Sequence, residues 1–147
     1  MNIPDVTLHD LDRQPVNLKT FEGKKTIIAF FPGAFTGGCT EELCTFQSDL
    51  QQFNELNVQI VGISVDSPFA LSGWAQANDI SFPLLSDYNK ECIKLFDVEF
   101  NGLAGLEGYV SSNRAVFIAN PAGEITYKWV AENPGVLPDF EEIKNNL

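Results

Sequence analysis

The segment from Lys24 to Phe53 constrains the fold most, because it joins a buried strand to an amphipathic helix through a short glycine-containing loop. Residues 26–31 read Thr-Ile-Ile-Ala-Phe-Phe, and Pro32-Gly33 ends the run. A short β-branched and aromatic run of this kind is typical of a fully buried strand. Beyond the loop, apolar residues recur at helical spacing and predict an amphipathic helix over 39–54, at Leu43, Phe46, Leu50 and Phe53.

The remainder of the chain continues the alternation of strands and helices. The patterns predict an N-terminal hairpin within 1–23, strands at 58–65 and 114–119, an extended piece at 82–85, and a hairpin partner at 124–130. They predict helices from Ser67-Pro68 to near Asn78, from a capping Asp87 to Phe96, and over 140–147. The region 99–113 shows no period and is expected to be a long loop. We therefore expect one α/β domain over 1–147, with a thioredoxin-like central mixed sheet flanked by helices and an N-terminal β-hairpin.

Composition excludes several functions. Nine basic residues against twenty acidic ones give a net charge of −11, which disfavours nucleic acid and membrane surfaces as partners. The only histidine, His9, is expected at the surface, so metal sites built on several histidines are excluded. Three cysteines and an N-terminus without the order of a secretory signal favour a cytoplasmic protein with reactive or buried thiols.

Cys39 is the strongest candidate for chemistry. It follows Gly37-Gly38 at the start of a helix, where unpaired N–H groups and the helix dipole stabilise a thiolate over a thiol. Because His9 is expected at the surface, Arg114 is the candidate cation that stabilises the Cys39 thiolate, since it begins a core strand. A parallel central sheet is expected to bring Arg114 to the same edge as the loop that follows Phe31. The alternative for Arg114 is an ordinary salt bridge at the edge of the sheet.

The run from Pro32 to Cys39 matches the P-x-x-x-T-x-x-C signature of the peroxiredoxins, and it resembles that family in following a strand and opening a helix. Glu42 stands where the family has Glu or Gln, and Arg114 resembles its distant active-site arginine. The segments 4–8, 62–66 and 84–87 are also similar, so the resemblance covers nearly the whole chain.

The resemblance implies that Cys39 attacks a peroxide and becomes a sulfenic acid, with no cofactor and no metal. It assigns hydrogen bonding of the peroxide to Thr36, charge stabilisation to Arg114 and exclusion of water to Pro32. It further implies that the substrate is bound with the help of Phe35, Gly38 and Glu42. Without the resemblance, Thr36 could equally be a helix-cap or turn residue, and Pro32 a strand terminator.

Cys44, five residues after Cys39, resembles the resolving cysteine of some members of the bacterioferritin comigratory protein or peroxiredoxin Q subgroup. Five residues of intact helix separate the Cα atoms by about 8.7 Å, whereas a disulfide tolerates about 7 Å. We therefore expect a Cys39–Cys44 disulfide to require unwinding of the first one or two turns. The alternative for Cys44 is a small buried hydrophobe. Cys92 lies on the apolar side of its own predicted helix, where burial is the expected role.

Three functional hypotheses remain open at this point. The first is a peroxidase acting on hydrogen peroxide and organic hydroperoxides, recycled by thioredoxin or a similar dithiol reductant. The others are a one-cysteine peroxidase that uses an external thiol, and a non-catalytic redox sensor. A thioredoxin-type oxidoreductase is disfavoured because Glu42 stands where a C-x-x-C motif has its second cysteine. The subgroup resemblance implies a monomer or a weak homodimer.

Overall fold

A computed structural model describes every residue from Met1 to Leu147. Its strands are β1 (Thr7–His9), β2 (Pro15–Asn17), β3 (Lys25–Phe30), β4 (Val58–Ser64), β5 (Leu84–Ser86), β6 (Glu99–Asn101), β7 (Val110–Ser112), β8 (Ala115–Ala119) and β9 (Ile125–Val130). Its α-helices are α1 (Gly37–Ser48), α2 (Leu50–Glu55), α3 (Pro68–Ala77), α4 (Glu91–Leu95) and α5 (Phe140–Asn145). None of these helices combines the length and the apolar composition needed to cross a membrane.

Seven strands form one mixed sheet in the order β2-β1-β5-β4-β3-β8-β9, which confirms the predicted mixed architecture. Strands β3, β4 and β5 run parallel, while β1, β2, β8 and β9 pair antiparallel with their neighbours. The N-terminal hairpin is present, with Leu8 opposite Val16. Strands β6 and β7 form a separate two-stranded sheet.

The direction of β8 corrects the reasoning that placed Arg114 beside the end of β3. Strand β8 lies antiparallel to β3, with Ala115 paired to Phe30. The beginning of β8 therefore meets the end of β3, and Arg114 reaches the expected edge. A parallel β8 would have put Arg114 at the opposite end of the sheet, so the expected position was correct and its stated reason was wrong.

The two faces of the sheet carry separate cores. One core of 17 buried residues joins β3 to α1, α2, α3 and α5, and includes Cys39, Phe46 and Trp74. The other, of 16 buried residues, joins the opposite face to α4 and the N-terminal hairpin, and includes Cys92. This separation follows from the alternation of side chains along β3, since Ile27 and Ala29 face one core and Ile28 and Phe30 face the other.

The helix predicted over 39–54 is two helices. Helix α1 begins at Gly37, and the backbone leaves helical geometry at Asp49, with φ −96° and ψ 4°, before α2 begins. The apolar spacing continues across this break, which is why the sequence pattern did not show it. Helix α4 spans Glu91–Leu95 and has Lys90 at its N-cap position, so it does not begin directly after Asp87 as expected. The Asp87 carboxylate nevertheless accepts hydrogen bonds from the backbone N–H groups of Cys92 and Ile93 in the first turn of α4.

The region 99–113 is also different from the prediction, because it contains the β6–β7 hairpin rather than an irregular loop. Each strand has only three residues, which is too short for a periodic pattern to be read. Gly102, Gly105 and Gly108 adopt positive φ angles of 92°, 79° and 83° in the connection between the strands. Their conformational freedom allows the chain to reverse direction here.

A substitution at Gly62 on β4 tests how tightly the parallel strands pack behind the site. A Cβ atom at Gly62 would lie 2.7 Å from Leu84 Cδ2 and 3.4 Å from Phe31 Cε1. We expect Gly62→Ala to lower the free energy of unfolding by about 1–3 kcal/mol, because the core must shift to admit the methyl group. The matched control is Gly73→Ala at an exposed position of α3, where no atom lies within 4 Å of the added Cβ. This change should stabilise the protein by about 0.5–1 kcal/mol. Urea denaturation measures both, and equal effects would contradict the packing argument.

Candidate active site

The loop between β3 and α1 places a thiol in the first turn of a helix. Cys39 is the third residue of α1, and Thr36 occupies the N-cap position. The backbone N–H groups of this turn have no partners within the helix, so they and the helix dipole favour negative charge there. The Cys39 side chain is fully buried.

The loop itself holds Thr36 in a defined orientation. The Thr36 hydroxyl donates a hydrogen bond to the Gly33 carbonyl at 2.8 Å, and it does not cap the helix. Phe35 adopts a positive φ of 64°, a conformation that costs about 1 kcal/mol for a residue with a side chain. Thr36 is therefore a turn residue whose hydroxyl oxygen keeps its lone pairs available to accept hydrogen bonds.

Arg114 lies across the same turn, and only 3% of its surface is exposed. Its Nη1 donates to Glu42 Oε1 at 3.2 Å, while Nε and Nη2 donate to the Pro134 carbonyl at 3.1 and 2.9 Å. The guanidinium thus joins α1 to the segment between β9 and α5. Arg114 therefore does make a salt bridge, as in the alternative interpretation, but the bridge is buried, and its partner Glu42 lies about one turn after Cys39 on α1.

Gly38 allows this close approach. A Cβ atom at Gly38 would lie 3.0 Å from Arg114 Nη2, closer than ordinary van der Waals contact. Gly38, which was expected to help bind substrate, therefore also has a structural role, because it leaves room for the Arg114 guanidinium against α1.

Glu42 is fully buried, and burial raises the pKa of its carboxyl from 4.5 to about 7 even though the Arg114 charge and hydrogen bond lower it. Its Oε2 atom is buried without a hydrogen-bond partner. A carboxylate in such a place costs free energy, because only one of its oxygens is compensated. Glu42 contacts Arg114 and does not line a cavity. It therefore lies behind Arg114, and not at the surface where it was expected to help bind substrate.

A cavity of about 460 Å³ opens above this turn. One side is formed by residues from the β3–α1 loop, from α1 and from the position just before β8, namely Pro32, Thr36, Gly38 and Arg114. The β6–β7 hairpin and the segment after β9 form the remaining sides, with Phe100, Gly102, Leu103, Ala104, Asn133, Pro134 and Gly135. The cavity therefore has a cation on one side and the hydrophobic side chains of the β6–β7 hairpin, Phe100, Leu103 and Ala104, on another.

The structure brings together most of the residues singled out from the sequence, but not all. Phe35 is 66% exposed and does not line the cavity, in contrast to its expected role in binding substrate. Cys44 is half-buried on α1, and all three cysteines are free thiols. Cys92 is fully buried, as predicted, and lies on the opposite face of the sheet from Cys39. His9 lies outside the cavity, with its ring centroid 5.1 Å from that of Tyr88.

Sequence reasoning missed the hairpin wall and Pro134. The sequence Asn133-Pro134-Gly135 indicates a turn, but no pattern connects a turn to an arginine twenty residues earlier. Phe100 and Leu103 belong to the region 99–113, which has no periodic apolar pattern, so their place in the cavity could not be derived from the sequence. No group of three or more His, Cys, Asp or Glu side chains is arranged to hold a metal ion.

The fold and the site define a class of protein, in which a mixed sheet of thioredoxin type carries a thiol at a helix N-terminus beside a buried arginine. The AhpC/TSA family model matches residues 1–128. The chain is 31% identical over 124 residues to peroxiredoxin Bcp of Escherichia coli, a match that covers 84% of this chain and 80% of that protein. The chain belongs to the AhpC/TSA family of peroxiredoxins.

Two further similarities concern a relative in sequence and the fold. A putative peroxiredoxin of Mycobacterium tuberculosis is 39% identical over 90 residues, covering 61% of this chain and 57% of the relative, so the match spans less than two thirds of that protein. The crystal structure of a mutant of Xylella fastidiosa PrxQ superposes with a TM-score of 0.84 at 24% identity, covering 97% of this chain and 87% of that one. This structural similarity confirms the thioredoxin fold.

The buried Glu42 predicts an unusual dependence of stability on pH. Because the pKa of Glu42 is about 7 in the folded protein and near 4.5 in the unfolded chain, the folded state holds the proton more tightly between these values. The free energy of unfolding, relative to that of Glu42→Gln, should therefore fall by up to about 3 kcal/mol as pH rises from 4.5 to above 7. Gln keeps an oxygen that accepts from Arg114.

Urea denaturation across this pH range measures the difference. Glu41→Gln is the matched control, because Glu41 is the exposed neighbour on the same helix. It should show no comparable change with pH, and a flat difference for Glu42→Gln would contradict the buried-carboxyl argument.

Proposed function

We propose that this chain is a thiol-dependent peroxidase in which Cys39 is the peroxidatic residue. The observation that carries the proposal is the placement of Cys39 in the first turn of α1, adjoining a cavity that Thr36 and Arg114 line. Membership of the peroxiredoxin family supports the same activity. The proposed substrates are hydrogen peroxide and organic hydroperoxides.

In the first step, the Cys39 thiolate attacks one oxygen of the peroxide. An S–O bond forms, the O–O bond breaks, and the leaving oxygen takes a proton to become water or an alcohol. The sulfur is oxidised to a sulfenic acid and the peroxide is reduced. Because the thiol is fully buried, the peroxide must enter through the cavity, and side chains at its floor must move slightly to admit it.

Two cavity residues can support this step. Three of the five N–H donors of Arg114 are used by Glu42 and Pro134, so two remain to bind the peroxide oxygens and the developing negative charge. The Thr36 hydroxyl oxygen can accept the hydrogen bond of the peroxide, because its own proton is donated to Gly33. Pro32 is buried and contributes no N–H group, which helps to keep water from the sulfur.

In the second step, the Cys44 thiol attacks the sulfenic sulfur, forming a disulfide and releasing water. Both cysteines lie within the continuous helix α1, where their Cα atoms are separated by about 8.7 Å. This exceeds the roughly 7 Å limit of a disulfide, so the first turns of α1 must unwind. Cys44 is half-buried rather than part of the core, which makes it available for this step.

A dithiol reductant of the thioredoxin type then reduces the disulfide by thiol exchange, which completes the cycle. A cytoplasmic setting, which supplies such reductants, and a monomeric or weakly dimeric state are parts of the proposal. The second candidate is a one-cysteine peroxidase, in which an external thiol reduces the sulfenic acid. The third is a redox sensor in which Cys39 is oxidised once.

Steady-state turnover tests the enzymatic proposal. With thioredoxin, its reductase and NADPH present, the protein should consume many equivalents of peroxide per molecule, and Cys39→Ser should consume none, because the attacking sulfur is lost. Consumption of a single equivalent would overturn the peroxidase proposal in favour of the sensor.

Cys44→Ser and Cys92→Ser form a matched pair for the resolving step. Titration with peroxide, read by mass spectrometry, should show a Cys39–Cys44 disulfide in the unmodified protein and in Cys92→Ser. In Cys44→Ser the sulfenic acid should persist and then over-oxidise, and thioredoxin-dependent turnover should be lost. The reverse division between the two variants would reject Cys44 as the resolving residue.

A crystal structure of the disulfide form with α1 intact would contradict the unwinding.

A further inference from the structure

Asp66 lies just beyond β4, outside the cavity lining, and its side chain holds the loop that leads to Cys39. Its Oδ2 atom accepts a hydrogen bond from the Ala34 backbone N–H at 2.8 Å and another from the Ser64 hydroxyl at 2.7 Å. The Ser86 hydroxyl donates to the Asp66 carbonyl at 2.5 Å. The ends of β4 and β5 thus hold Asp66 in place, and Asp66 holds the loop.

Trp74 on α3 makes a second contact with the same region, this time within α1. Its indole Nε1 donates to the Thr40 hydroxyl at 3.2 Å, and its ring stacks on Phe31 with centroids 5.4 Å apart. The Thr40 hydroxyl in turn donates to the Thr36 carbonyl at 3.0 Å. One connection, from the end of β4 into α3, therefore contacts the chain on both sides of Cys39.

The backbone between these two contacts is one that a free chain would not favour. Phe35 has a positive φ of 64°, and Gly37 and Gly38 begin α1, although glycine lowers helix stability relative to alanine. A segment of this kind needs external contacts to remain folded. Asp66 and Trp74 provide such contacts from a neighbouring element.

We propose that Asp66 and Trp74 are positioning residues that together clamp the start of α1, and that the strength of this clamp sets the balance between the folded and the unwound helix. The folded helix keeps Cys39 in its first turn, next to the cavity residue Gly38, whereas the unwound helix allows the Cys39–Cys44 disulfide. The consequence for catalysis rests on the proposed function, but the effect on α1 does not.

The clamp is tested first by amide hydrogen exchange, which needs no activity. Asp66→Ala should raise the exchange rates of the first hydrogen-bonded amides of α1, beginning with the Thr40 N–H that donates to the Thr36 carbonyl, about tenfold or more, because a hydrogen bond to a charged acceptor is lost. Asp66→Asn should restore most of the protection, since one amide oxygen can accept from both Ala34 and Ser64. Ser64→Ala removes the hydroxyl that bonds Asp66 from the end of β4 but leaves the bond from Asp66 to Ala34, and it should raise the rates less than about threefold.

Trp74→Phe tests the second contact, because it retains an aromatic ring against Phe31 and removes the N–H donor. It should also raise exchange in α1 by severalfold, while amides of α4, on the other face of the sheet, keep their rates. Unchanged rates in α1 for Asp66→Ala and Trp74→Phe would overturn the clamp. An equal rise across α1 and α4 would overturn it as well, since it would indicate a general loss of stability.

Disulfide formation by diamide, which oxidises two thiols to a disulfide without peroxide, provides the functional measurement. Asp66→Ala should form the Cys39–Cys44 disulfide about tenfold faster than the unmodified protein, and Asp66→Asn should form it at nearly the unmodified rate. Equal rates for all three proteins would overturn the proposed control of unwinding. Failure of the proposed function would instead appear as absent peroxide turnover in the unmodified protein, which leaves the exchange and diamide results unaffected.

Discussion

The candidate site depends on the hydrogen bonds made by the buried guanidinium of Arg114. It joins β8 to α1 through Glu42 and to the segment after β9 through the Pro134 carbonyl. Burying a charged pair is expensive unless its hydrogen bonds are complete, and here Glu42 Oε2 has none. The arrangement is therefore poorly explained by stability alone. The proposed function accounts for it, because peroxide reduction requires a fixed positive charge at the wall of the cavity that Arg114 lines.

The direction of one strand makes this contact possible. Because β8 is inserted antiparallel beside β3, the first residue before β8 and the first residues after β3 meet at one edge. Residues far apart in sequence, such as Thr36 and Arg114, can then line one cavity. Gly38 completes the arrangement, since any larger residue there would press against the guanidinium. Topology supplies the juxtaposition, and one glycine supplies the space.

The sequence predicted the elements whose pattern is long enough to read. The buried runs of β3, β4 and β8, the N-terminal hairpin and the start of α3 were all located, and Cys39, Thr36 and Arg114 were recognised as candidates from a motif and its context. The break at Asp49 was missed because apolar spacing continues through it. The β6–β7 hairpin was missed because its strands have three residues each, and Pro134 because it acts through a backbone carbonyl that every residue possesses.

Under the proposed function, helix α1 has to meet two opposing requirements. Reduction of a peroxide needs its first turn folded, so that the N–H groups, Cys39 and Arg114 keep their geometry. Disulfide formation with Cys44 needs the same turn unwound, because the intact helix holds the two residues too far apart. A very stable helix would favour the first step and block the second. Two glycines begin α1 and the helix ends at Asp49, and glycine lowers the stability of a short helix. The proposed clamp therefore assigns the choice between the folded and the unwound state to contacts from neighbouring elements rather than to the helix itself.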